Sequence, residues 1–60
     1  SDYTEVNVAF IPRCDICSEN DAAYDALTIY GPWANQCQGC FDLHGVGLGL
    51  GLGQKLTRMA

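Results

Sequence analysis

Basic residues are scarce in this 60-residue sequence: Arg13, Lys55 and Arg58 stand against seven Asp or Glu, a formal charge of −4. Between Cys14 and Gln54 there is no Lys or Arg, whereas Asp15, Glu19, Asp21, Asp25 and Asp42 all fall there. Nucleic-acid binding draws much of its affinity from phosphate neutralisation by Lys and Arg. The middle of the chain is therefore a poor candidate for that role. Long apolar runs are missing too, and nothing approaches the ~20 residues that span a bilayer. The opening stretch, Ser1-Asp2-Tyr3-Thr4-Glu5, has neither the basic nor the apolar region of a secretory signal. The expected location is the reducing cytosol, with no membrane partner.

Large apolar side chains are fewer than the 48 % hydrophobic fraction implies, because seven glycines and several alanines thin the core. A chain this short buries only about 60 % of its unfolded surface, and such chains often depend on an added staple. The sequence supplies one. Cys14 and Cys17 form one CxxC pair, and Cys37 and Cys40 form a second after nineteen intervening residues. A two-residue spacer lets both sulfurs of a pair turn to one ion at ~2.3 Å, and two pairs complete a tetrahedron. Four thiolates fill the coordination of one Zn2+, leaving no open position for water or substrate, which argues against zinc catalysis.

Three other uses of four cysteines compete with a zinc site. A rubredoxin-like iron site also takes two CxxC pairs, but there glycine follows each pair, and here Ser18 and Phe41 do. Two disulfides would suit an exported chain, with three connectivities open. A thioredoxin-like redox pair needs βαβ units for which the chain is too short.

Along the chain, residues 4–11 alternate as a strand, with Val6, Val8 and Phe10 on one face and Pro12 ending it. Cys14 to Asp21 reads as a metal-binding turn and a polar loop. Ala22 to Tyr30 reads as a second strand, with Tyr24, Ala26, Thr28 and Tyr30 on one face and Leu27 and Ile29 on the other. Gly31-Pro32 turns the chain so that Trp33 to Gln36 returns antiparallel. Cys37 to His44 reads as a short helix, with Phe41 and His44 on one face and Gly45 as its stop.

His44, the only histidine, reads as a helix-end residue rather than a ligand. Tyr24, Tyr30 and Trp33 read as packing; stacking on bases normally accompanies a positive groove. The acidic loop from Asp15 to Asp25 reads as solvated surface, since its spacing does not match a calcium-binding EF-hand loop. The segment Gly45 to Gly53 has glycine at every odd position. Extended, it would place Val46, Leu48, Leu50 and Leu52 on one apolar face. Burial of that face is expected, against the domain itself or on a partner by strand addition.

Arg13-Cys14-Asp15-Ile16-Cys17, Tyr24-Asp25, Gly31-Pro32-Trp33-Ala34, Cys37 and Gly45-Val46-Gly47-Leu48-Gly49 through Gly53-Gln54-Lys55-Leu56 together carry a resemblance. Over roughly residues 12–56 the chain resembles small, uncharacterised zinc-finger-like proteins of actinobacteriophages. Their fourth ligand is commonly His, where this chain has Cys40. Their Gly-Thr-Gly-Lys/Arg-Gly stretch is here Gly49-Leu50-Gly51-Leu52-Gly53, without its basic residue. The resemblance implies a zinc-stapled fold and a phage setting, and no particular activity.

The expectation is a small metal-stapled α+β fold, a treble-clef zinc finger: zinc knuckle, β-hairpin and short helix, with an N-terminal strand. Residues 1–45 would be the zinc-binding domain and 46–60 an extended Gly-Leu tail. One structural Zn2+ is expected on Cys14, Cys17, Cys37 and Cys40. The expected function is non-catalytic: binding a host or viral protein through the acidic surface or through Val46, Leu48, Leu50 and Leu52. Nucleic-acid binding is the runner-up and electron transfer the third class. The expected setting is the cytoplasm of an infected host cell, or the virion.

Overall fold

A computed structural model describes residues 5–59; Thr4 of the expected first strand and Ala60 lie outside that range. The fold is α+β, with strands β1 (Glu5–Val8), β2 (Tyr24–Leu27), β3 (Trp33–Gln36) and β4 (Gly53–Arg58), and one helix, α1 (Gln38–His44), between β3 and β4. The strands form a single sheet in the order β1-β4-β2-β3. β4 runs parallel to β1 and antiparallel to β2, and β2 and β3 form the hairpin. No helix among the described residues is long and apolar enough to cross a membrane.

The last part of the chain is thus an interior strand. Residues 46–60 are therefore not a separate tail as expected, because β4 is what joins β1 to the hairpin. Its Gln-Lys-Leu-Thr-Arg sequence offers a single large apolar residue, Leu56, so the strand was not anticipated. It is held by its neighbours on both sides rather than by its own hydrophobicity.

The first two expected strands are both shorter than the alternation implies, while the third, Trp33–Gln36, forms as expected. β1 stops at Val8, whose carbonyl accepts the last bond from Met59 N–H; the chain then bends and Phe10 is 80 % exposed instead of sharing the face of Val6 and Val8. β2 stops at Leu27 because the chain turns early. Gly31 N–H donates to Thr28 O, and Thr28 Oγ1 donates to Pro32 O while accepting from Tyr30 N–H. Tyr30 therefore sits in the turn, exposed, while Ala26 and Thr28 are buried.

Helix α1 agrees closely with expectation, with Cys37 in the N-cap position. Gly45 ends it for a different reason from the usual left-handed cap: its φ is −77°. A side chain there would run into the Phe41 ring, so glycine is required by close approach. Phe41 in turn stacks on Tyr24, with ring centroids 4.2 Å apart, which lays α1 on one face of the sheet.

That face also carries Ala26, Ala34, Gln36 and Gly53, by the pairing register and the alternation of side chains. Among the described residues the buried ones are few: Cys14, Ala22, Ala26, Thr28, Gln36, Cys37 and Gly53. No buried Leu, Ile, Val or Phe is among them. A core of alanines and cysteines offers little hydrophobic free energy at about 25 cal/mol per Å² of apolar surface, so the stability has to come from elsewhere.

Candidate metal centre

The first cysteine pair lies in a tight turn ahead of the hairpin. Cys14 N–H donates to Asn20 O at 2.8 Å, and Ser18 N–H donates back to Cys14 O at 3.1 Å, which closes the loop on itself. Ser18 takes the left-handed conformation, φ 61°, the only described non-glycine residue to do so. Asp15 ties this turn to β3: its N–H donates to Asn35 O at 2.7 Å, and its carboxylate accepts the Asn35 N–H at 2.8 Å. One of the acidic residues taken for plain surface is thus a clamp.

The second pair sits at the start of α1, with Cys37 at the N-cap and Cys40 in the first turn. Hairpin β2–β3 lies within the nineteen residues between the pairs and returns the chain to the turn it left. The Sγ atoms of Cys14, Cys17, Cys37 and Cys40 all lie within 4.8 Å of one another. Cys17 and Cys37 Sγ are 3.8 Å apart. A tetrahedron with ~2.3 Å metal–sulfur bonds has edges of about 3.8 Å, the separation found for Cys17 and Cys37. The four cysteines could hold one metal ion.

Backbone amides point at the same sulfurs. Burial raises the Cys14 thiol, but the N–H groups of Cys17, Cys37 and Ile16 outweigh it and hold the pKa at about 6. The amide of Cys40 is the largest influence on Cys37 and lowers it as well. Each pair therefore has its first sulfur receiving the amide of its second cysteine, and the Cys37 amide links the two halves. Cys40 goes the other way: burial and the three neighbouring sulfurs push it up to about 12. Four thiolates crowded this closely repel one another, and a divalent cation relieves that repulsion. Asn20 Nδ2, 3.9 Å from Cys37 Sγ, adds one more donor. Cys14 and Cys37 are buried and Cys17 and Cys40 partly so, and none is in a disulfide.

His44 stands apart from this cluster. Its Nδ1 lies 2.9 Å from Tyr30 Oη at the far end of α1, and the two rings pack with centroids 5.4 Å apart. No pocket opens among the described residues.

The Gly-Leu segment does not extend as expected. Gly49 and Gly53 exchange backbone hydrogen bonds at 2.9 and 3.0 Å, and Leu52 N–H also donates to Gly49 O. Gly49 and Gly51 adopt φ of +121° and +81°, which folds the run into a tight hairpin loop leading into β4. Val46, Leu48, Leu50 and Leu52 therefore share no continuous face. All four are exposed, Leu50 most of all at 81 %.

Searches of protein-family models, of curated proteins and of solved structures find no match to this chain.

Proposed function

We propose that this protein is a non-catalytic zinc-binding interaction module of treble-clef type. The observation that carries the reading is the set of four Sγ atoms within 4.8 Å of one another, close enough for one ion to gather them. Knuckle, hairpin β2–β3 and helix with the second cysteine pair follow one another in treble-clef order, which supports that class. Zn2+ fits a closed tetrathiolate, whose four donors leave the ion no place for a substrate. Cys14, Cys17, Cys37 and Cys40 hold it, and its role is to fold the chain.

The interaction role rests on what the small core leaves outside. Val46, Leu48, Leu50 and Leu52 are exposed around one loop, with Leu50 at the tip as the contact for a protein partner. Exposed Glu19, Asp21 and Asp42 add an acidic surface for a basic one. A phage protein acting in the infected cell or the virion is the setting we propose, on the sequence resemblance alone.

Elemental analysis of protein purified under reducing conditions tests the metal: one zinc per chain and a colourless solution are expected, and a red iron form would make this an electron carrier instead. Titration with duplex and single-stranded nucleic acid tests the partner class. Tight, steeply salt-dependent binding at physiological salt would replace the protein partner with nucleic acid.

A further inference from the structure

The face of the sheet opposite α1 carries Val6 and Val8 of β1, Gln54, Leu56 and Arg58 of β4, Asp25 and Leu27 of β2, and Asn35 and Trp33 of β3, as the pairings Val6↔Leu56, Val8↔Arg58, Asp25↔Gln54, Asp25↔Asn35 and Leu27↔Trp33 require. Gln54 Nε2 lies 3.5 Å from Asp25 Oδ2, which places both on this side. Among the described residues no helix covers it, and the molecule is a slab of 31 × 26 × 15 Å. A sheet with a helix on one face and half-buried Val6, Val8 and Leu56 on the other, with no helix over them, is half of a two-layer arrangement.

We propose that a second copy of this chain covers that face. The choice of occupant comes from the charges. Leu56 is the midpoint: Arg58 lies two residues further along β4, about 6.6 Å away at ~3.3 Å per residue. Asp25, beside Gln54, lies as far in the opposite direction. A two-fold axis running across the strands at Leu56 stacks Leu56 on Leu56 and Val6 on Val6. The same axis brings Arg58 over the Gln54 and Asp25 of the second copy, twice. One face thus supplies both halves of a self-complementary contact, as an isologous dimer requires. Sheets packed face to face stand about 10 Å apart, a distance that Arg58 and Asp25 can bridge from opposite sides. A partner of uniform charge would meet like charge at one end. The area is small, so the dimer is weak and concentration-dependent. The inference goes beyond the function proposed above and holds whichever metal or partner the protein takes.

Sedimentation equilibrium of the metal-loaded full chain tests it, together with NMR spectra recorded on dilution. The wild type is expected to dimerise reversibly, with dilution shifts concentrated at Val6, Val8 and Leu56. Arg58→Asp, at an exposed position, places like charges together and is expected to weaken dimerisation by about tenfold or more. Asp25→Arg combined with Arg58→Asp restores it. A chain that stays monomeric at millimolar concentration overturns the proposal. So does a dimer that Arg58→Asp leaves unchanged while the variant's spectrum shows an intact fold.

Discussion

Gly53, the first residue of β4, lies directly against Ala26 of β2, and a Cβ on Gly53 would collide with the Ala26 side chain and come within 2.9 Å of the Gly47 carbonyl. Both residues are buried, so the strands meet through the two smallest side chains available. Gly53→Ala is expected to destabilise the fold by about 1–3 kcal/mol, the range for overpacking a close-packed site. Gly39→Ala is the control: it sits on α1 with nothing within 4 Å of an added Cβ, and is expected to be neutral or mildly stabilising. Guanidinium unfolding at fixed free zinc measures both.

Removal of the metal is expected to unfold the chain. With alanines, Thr28, Gln36, Gly53 and two cysteines as its buried residues, the core has little to fall back on when the four clustered cysteines lose their cation. Chelation or Cys37→Ser should therefore collapse NMR chemical-shift dispersion, as in small zinc domains whose binding free energy is folding free energy. Native dispersion persisting after the metal is gone would show that the sheet alone suffices.

Deletion of residues 46–60 takes away the strand between β1 and β2, so the shortened chain is expected to lose its fold rather than only a binding segment. The contribution of the Gly-Leu loop needs a gentler change. Leu50 is 81 % exposed at the tip of the loop, so Leu50→Asp should leave the unfolding free energy within about 0.5 kcal/mol of wild type. Loss of partner capture by Leu50→Asp, with the thermal transition unmoved, is the expected pair of results. Retained capture would move the contact to the acidic surface.

Where local chemistry decides the structure, the sequence was easy to read. Cysteine spacing, the Gly31-Pro32 turn and the Phe41/His44 spacing ahead of Gly45 located the metal cluster, the hairpin and α1. Strand β4 was missed because nothing local marks it. Leu56 is its one large apolar residue, and its pairing partner Val6 lies fifty residues away in the chain. Phe10 and Tyr30 were misplaced for a related reason: alternation continues past the point where a strand runs out of partners. The Gly-Leu run misled in the opposite sense. Its period of two matches an extended strand, but glycine's access to positive φ lets Gly49 and Gly51 fold it into a loop. The clamp formed by Asp15 and Asn35 depends on contact between segments twenty residues apart, which periodicity does not encode.

Ser18 gives the sharpest test of the metal-binding turn. The residue after Cys17 adopts φ 61°, the conformation glycine holds without strain, although the chain places serine there. The absence of glycine after the first cysteine pair therefore does not mean a different turn, and serine here is compatible with the turn an iron site uses. The left-handed conformation costs a residue with a Cβ roughly 1–2 kcal/mol, and glycine gives part of that back through the entropy of its unfolded chain. Ser18→Gly is thus expected to stabilise the metal-loaded fold by up to about 1 kcal/mol. Ser18→Val, β-branched and poorly suited to positive φ, should destabilise it by a similar amount or more. Competition with a chromophoric chelator separates this from a general effect on the sheet: affinity should rise for glycine and fall for valine. Identical affinities in the two variants would mean that the turn relaxes to accommodate either residue and that Ser18 carries no strain.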